Sequence, residues 1–501
     1  MASLAQLFAN GVELSSSTVL LVVVASLLLL ALQAASAQRK REREARDNGK
    51  RALRRKMSNI GISTLVTETE TNLSIPVSLL SVEGTISVEE FTARLQERMV
   101  NDDFFRRFRS LVVNDEKEFV ELADFDVSRH VTTHKLREGE TPISYLESIT
   151  NQPLDFNKPL WEMHVMVSDA PTEDVTYCAW KVHHCIGDGQ SLAVALIRLS
   201  DNKVQFDEMI AKHQQAKKSA PKSPTSLATK VTSLAQFGAL CVWSMYVVQR
   251  KLVTMLLRAE PATLFKRTGG TRKKLSHHMT YSVAETKRVG KHFHATVNDV
   301  MLSCVAGAMR RALVAKGEEV APSLTVRAAI PVDMRGTDEV VTDARNKFSA
   351  LVIDFPIGVA DPAQRLARIR RNMNEAKHSL EKFFTYWSSH VLAYLPAWVM
   401  KPLLQLTTSR ISVAVSNVRG AAFSLALCGK KLKGYYGFVP PPPTVNLGIA
   451  VLSVGDELGL NVLVDPSVGI TGTDFLAFAK QEFDALAAIA DAPSSGDKKQ
   501  Q

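Results

Sequence analysis

His183-His184-Cys185-Ile186-Gly187-Asp188-Gly189 stands between two runs of opposite periodicity. Val175 to Val182 precedes it and reads as a strand; Ser191 to Leu199 follows and reads as a helix. Two imidazoles at a strand end, with an aspartate four residues beyond the second and a glycine on either side of that aspartate, fit general-base chemistry. Histidine is the side chain whose ordinary pKa lies nearest neutrality, so it can take a proton from a hydroxyl. Gly187 and Gly189 permit a tight loop. Asp188 is free to pair with a distant arginine and hold that loop rigid. An isolated His-His would more often be a structural pair; the full His-His-x-x-x-Asp-Gly pattern between strand and helix favours a site.

A second segment lies upstream. Pro153-Leu154-Asp155-Phe156-Asn157-Lys158-Pro159-Leu160-Trp161-Glu162 ends 21 residues before His183. Downstream come Val297-Asn298-Asp299-Val300, then Asn346-Lys347-Phe348 with Ala350 to Ile353, then Ser416-Asn417-Val418. The His motif resembles that of the CoA-dependent acyltransferase superfamily. The ordered set, spanning about residues 60 to 490, resembles the wax ester synthase/diacylglycerol acyltransferase family. Arg345 stands where that family has a glycine, and Arg419 where it has a proline. The Asp-Phe-Gly-Trp-Gly segment of plant-type acyltransferases is absent.

The resemblance implies a mixed α/β fold of two similar chloramphenicol-acetyltransferase-like subdomains around a central tunnel. Acyl-CoA would enter from one side and a fatty alcohol or diacylglycerol from the other, giving a wax ester or triacylglycerol. His184 would be the base, His183 secondary, and Asp188 a holder of the loop. Gly189, Asn298, Asp299, Pro159, Leu160 and Trp161 would shape the site or bind substrate. No cofactor is implied beyond acyl-CoA as co-substrate. Rival readings are an acyltransferase for another acceptor, such as a sterol or amine, and a catalytically silent lipid-binding protein; the intact His-Asp-Gly loop argues against the second.

Charge placement bears on the compartment. The chain of 501 residues carries a formal net charge of +10. Between Arg39 and Lys56 there are ten Lys/Arg against three acids, so the rest is nearly balanced. A basic cluster of this kind argues for anionic lipid rather than nucleic acid. Before it, Leu14 to Gln38 holds 25 residues without a charge, where about 20 span a bilayer as a helix. Ala35-Ser36-Ala37 offers a signal-peptidase pattern. Against cleavage stand the lack of a cation before the apolar run and the basic cluster after it, which resists translocation. The expectation is a single-pass anchor in the endoplasmic reticulum membrane, with the catalytic region facing the cytosol.

Five scattered cysteines, with no Cys-x-x-Cys, indicate neither disulfides nor zinc. Cys185, adjacent to His184, would point away from it on an extended chain, so a Cys–His nucleophile is disfavoured. His277-His278 and His292-x-His294 have no carboxylate or thiolate at ligand spacing. Gly-x-Ser-x-Gly, Walker and dinucleotide patterns are absent.

The expected organisation is an anchor over 1–38, a basic linker over 39–60, a first subdomain over 61–202, a linker and apolar crossover over 203–274, a second subdomain over 275–491 and a polar tail over 492–501. Ser87 to Glu90 reads as a capping box. Lys203 to Ser226 reads as a polar linker. Leu227 to Leu257 reads equally as a buried helix pair or a membrane-facing patch. Phe383 to Leu406, rich in aromatics, suits either a membrane interface or core packing.

Overall fold

The computed structural model describes residues 54–113, 117–167, 174–219, 227–270, 272–336 and 339–492. The expected anchor, most of the basic linker and nearly all of the tail lie outside these residues. Among the described residues no helix is long and apolar enough to cross a membrane.

The first half runs β1 (Arg54–Lys56), α1 (Asn59–Thr67), β2 (Val77–Glu83), α2 (Val88–Asn101), β3 (Ser110–Val113), β4 (Glu118–Glu121), β5 (Val131–Lys135), α3 (Pro142–Thr150), β6 (Trp161–Val167), β7 (Val175–Val182) and α4 (Gly189–Leu199). Two helices follow, α5 (Lys203–Ser219) and α6 (Leu227–Leu257). The second half runs β8 (Lys274–Ser282), α7 (Val283–His292), α8 (Val297–Ala315), β9 (Val326–Asp333), β10 (Phe348–Phe355), α9 (Pro362–Lys377), α10 (Glu381–Leu392), α11 (Ala397–Thr408), β11 (Val413–Arg419), β12 (Ala426–Leu427), β13 (Lys430–Phe438), β14 (Leu447–Val454), β15 (Glu457–Val464) and α12 (Gly472–Asp491).

Each half is built on a six-stranded mixed sheet, ordered β12-β13-β2-β7-β6-β5 in the first and β10-β9-β11-β14-β15-β8 in the second. A small sheet, β1-β4-β3, sits beside the first. The halves are not contiguous in sequence. β13, from the second half, pairs antiparallel with β2 from Phe438↔Val77 to Leu432↔Val82, with one register shift. A boundary between the halves at about residue 275 therefore misses a strand exchange that ties them together.

The elements follow from local chemistry. β7 is buried along nearly its whole length, as a strand covered on both faces should be. It packs Trp180 against Phe108, their rings 6.0 Å apart and stacked. α4 is apolar except at Gln190, Ser191 and Arg198 and eight of its eleven residues are buried, so it is a core helix. α8 begins with Thr296 as its N-cap, and Gly317, at φ 74°, follows its C-terminus. α2 is capped by Ser87, whose oxygen accepts from the Glu90 N–H. The reciprocal bond of a full capping box is replaced: the Ser87 hydroxyl donates to the Glu89 carboxylate at 2.8 Å.

Two expectations are corrected. The polar stretch after Lys203 is helical as far as Ser219, not a linker; Lys, Gln and Ala are good helix formers, and the first proline comes only at Pro221. The apolar crossover from Leu227 to Leu257 is one helix of 31 residues rather than a pair.

Candidate active site

The His motif leaves β7 at its end nearest the second half. Its first histidine is tied down on every side. The His183 backbone N–H donates to the Leu160 carbonyl at 2.9 Å. The Cys185 N–H donates to His183 Nδ1 at 3.1 Å, and His183 Nε2 lies 2.9 Å from the Glu68 carboxylate. Burial pushes the His183 pKa down, but Cys185 and Glu68 push it up further, to about 10. The Cys185 N–H that points at Nδ1 acts the other way, favouring a ring that accepts there and donates from Nε2 to Glu68. His183 is a buried brace between the loop and the end of α1.

His184 is held differently. Its backbone N–H donates to the Ser74 carbonyl at 2.8 Å. Its Nδ1 lies 3.2 Å from Asn346 Oδ1. The orientation of that amide is set by its other end: Asn346 Nδ2 donates to the His184 carbonyl at 2.8 Å and reaches the Cys185 carbonyl at 3.3 Å. Oδ1 is therefore the atom that faces the ring, and Nδ1–H must donate to it. Nε2 is left as the unprotonated nitrogen. Burial lowers the His184 pKa below the ordinary imidazole value, which keeps the ring neutral. The ring of Phe348 lies 5.9 Å away.

His184 borders a cavity of about 100 Å³ between the two halves, with Asp188 and Gly189 from the first half and Asp333, Arg335, Phe348 and Ser416 to Val418 from the second among its walls. Cys185 is buried and is not among the lining residues.

Asp188 does three jobs at once. Oδ1 accepts from the Ser191 N–H at 2.9 Å and so caps α4. Oδ2 accepts from the Arg335 guanidinium at 2.9 Å and from the Lys347 N–H at 2.8 Å. The Asp188–Arg335 ion pair is almost fully buried. Arg335 goes on to the Ser191 hydroxyl and the Arg345 carbonyl, so the motif loop is fastened to the second half. Gly189 fits for want of space: a Cβ there would lie 2.8 Å from Val418 Cγ2 on β11.

The Asn298-Asp299 pair divides. Asp299 closes the capping box of α8, accepting from the Thr296 N–H at 2.9 Å and its hydroxyl at 2.7 Å. Asn298 Oδ1 accepts from Asn417 Nδ2 at 2.9 Å. Neither lines the cavity; Asn298 acts on it through Asn417, which does. Pro159, Leu160 and Trp161 are also set back. All three are buried, and Trp161 donates its indole N–H to the Phe108 carbonyl at 2.8 Å while stacking on His130 at 4.5 Å. They shape the site by supporting β6 and His183, not by lining the cavity where substrate would sit.

Sequence reading missed Glu68, Arg335 and the role of Asn346. In the Asn-Lys-Phe segment, Asn346 orients His184, Lys347 offers its backbone to Asp188 and Phe348 walls the cavity. The neighbouring departure from the family pattern is explained: Arg345 contributes its backbone to the site, while its side chain turns outward to Glu339 at 2.9 Å. His277 packs against Tyr436, rings 4.2 Å apart, and among the described residues no group of three or more His, Cys, Asp or Glu is placed to hold a metal.

Comparison with known proteins bears on the family and the fold. Two family profiles match, the wax ester synthase/diacylglycerol acyltransferase catalytic domain over residues 72–301 and the WS/DGAT C-terminal domain over residues 345–487. A protein named probable diacylglycerol O-acyltransferase from Mycobacterium tuberculosis is 24% identical over 364 residues, covering 70% of this chain and 77% of its own. Wax ester synthase/diacylglycerol acyltransferase 9 of Arabidopsis thaliana is 26% identical over 413 residues, covering 74% and 81%. Among solved structures, the wax ester synthase/diacylglycerol acyltransferase of Marinobacter aquaeolei VT8 superposes with a TM-score of 0.59 at 17% identity, covering 87% of this chain and 100% of that one. The starter condensation domain of a rhizomide synthetase, solved with C8-CoA, gives 0.53 at 13%, covering 88% and 95%. The likeness in fold, the ordered motifs and the two profile matches together place this chain in the wax ester synthase/diacylglycerol acyltransferase family.

Proposed function

We infer that this protein is an acyl-CoA-dependent O-acyltransferase that forms wax esters, triacylglycerol or both, with His184 as general base. The observation that carries the reading is the Asn346 clamp, which leaves His184 neutral with Nε2 as its basic nitrogen, on the wall of a cavity shared by both halves. In the reaction, Nε2 takes the proton of the acceptor hydroxyl as its oxygen attacks the thioester carbonyl. The tetrahedral intermediate then expels the CoA sulfur, and the imidazolium returns its proton to that thiolate. Asp188 holds the loop and joins the halves; it exchanges no proton. His183 braces the loop from beneath.

On this reading acyl-CoA enters the cavity from one side and a fatty alcohol or diacylglycerol from the other, as the family resemblance implies. The uncharged run Leu14 to Gln38 and the basic cluster after it support a single-pass anchor in the endoplasmic reticulum, with the catalytic halves in the cytosol. The test uses membranes containing the chain, given labelled acyl-CoA with hexadecanol or with diacylglycerol, and separates the lipid products. Labelled wax ester or triacylglycerol above a His184→Ala control is expected. No product with either acceptor would refute the reading.

A further inference from the structure

Three helices leave large apolar side chains in the open. On α6 these are Trp243 and Tyr246, on α10 Phe383, Phe384 and Trp387, and on α11 Trp398. Trp387 is 63% exposed and Trp398 is 79% exposed. Isolated exposed apolar residues need no explanation, but aromatic residues gathered on neighbouring helices do. α10 packs against α6, and both α10 and α11 pack against α1.

The charge on these helices is one-sided. Across α6, α10 and α11 the sequence holds a single carboxylate, Glu381, and it is buried and paired with Lys251. The cations include Lys382, which lies over the Phe383 ring at 5.1 Å, and Lys401. Tryptophan and tyrosine with interspersed lysine, and no exposed carboxylate, is the composition that settles at the boundary between headgroups and acyl chains.

The course of the chain points to the same face. The basic cluster continues to Lys56 in β1, and only Met57 and Ser58 separate β1 from α1. The chain that arrives from the uncharged run therefore enters the fold beside the helix on which α10 and α11 lie. α1 in turn touches the catalytic loop: a Cβ on Gly61 would lie 3.0 Å from the Cys185 carbonyl.

We propose that the exposed aromatic face of α6, α10 and α11 docks on the surface of an anionic phospholipid bilayer, beside the point where the N-terminal segment meets the fold. The contact brings the lipid acceptor to the α1 side of the catalytic loop. This last step rests on the acyltransferase reading; the docking itself does not.

The five tryptophans make the test direct, because Trp161 and Trp180 are buried in the core while Trp243, Trp387 and Trp398 lie on the face. The full chain is placed in vesicles of phosphatidylcholine and phosphatidylserine with or without brominated acyl chains, and its emission is recorded. Brominated lipid is expected to quench a large share of the emission, and the triple variant Trp243→Ala, Trp387→Ala, Trp398→Ala is expected to lose that quenching while still melting cooperatively. The proposal is overturned if brominated lipid leaves the wild type unquenched, or if the triple variant is quenched as strongly. It is also overturned if aqueous acrylamide reaches the emission equally with and without vesicles, or if protection from acrylamide depends on protein concentration in detergent without lipid, which would mean a second copy covers the face. None of these readings depends on catalysis, so failure here leaves the acyltransferase assay to stand or fall alone.

Discussion

At the scale of residues, the motif loop is legible in sequence because it is local, whereas its partners are not. The spacing from His184 to Asp188 can be read directly. Nothing in the sequence says that Asn346 orients the ring, that Glu68 receives His183, or that Arg335 is the arginine for Asp188, since each partner is at least 115 positions away. Two consequences can be measured. Asp188→Asn leaves the Arg335 guanidinium buried with only Asp333, 3.1 Å away, as counter-charge. Loss of one member of a buried pair costs about 3–5 kcal/mol, and the remaining carboxylate puts this case at the low end. The melting temperature should therefore fall together with activity, and the acid limb of the pH profile should move to lower pH, because the Asp188 charge raises the His184 pKa against burial. A fully stable but inactive variant would contradict the structural role of Asp188. The second consequence concerns His184 itself. Burial lowers its pKa, and a base works only when unprotonated, so activity should hold at neutral pH and fall as the pH drops through a value below about 6.5, the ordinary imidazole value. A pH series of kcat/KM with an acid limb above 7 would contradict the burial argument.

Among the elements, strands with strong apolar runs could be placed from sequence: β7, β10, β14 and β15 lie where their alternation or β-branched content puts them. The helix α5 could not, because it is mostly polar and two prolines, Pro221 and Pro224, follow its end. β13 could not either. Its residues, Lys430 to Phe438, mix lysines, glycines and tyrosines, and its partner β2 lies in the other half. That exchange, and the seating of α4 against β11, join the halves around the cavity. The contact at Gly189 tests the seating. A side chain there must push Val418, and overpacking costs about 1–3 kcal/mol. Gly189→Val should lower the melting temperature and the activity, and adding Val418→Ala should restore part of both. No recovery in the double variant would show that the two residues do not share the contact.

The whole molecule combines a reaction centre between its halves with a lipid substrate, and its charge distribution would give it a side of the membrane if the uncharged run is an anchor. The basic cluster from Arg39 to Lys56 holds the catalytic halves in the cytosol if the preceding run is an anchor. Alkaline carbonate should then fail to extract the full chain from microsomes, and protease added to sealed microsomes should digest the catalytic region. Protection of that region would reverse the orientation, and a mature N-terminus near Gln38 would mean the run is a cleaved signal. The central claim, however, is narrower than topology: one imidazole, freed on one nitrogen by an asparagine from the opposite half, takes the acceptor's proton. The most direct measurement is the kcat for acyl transfer by His184→Ala in the same membranes as the wild type, at equal folded protein. The account predicts a loss of about 10²–10⁴-fold, the usual worth of a general base. A variant that keeps more than about a tenth of the wild-type rate would contradict it.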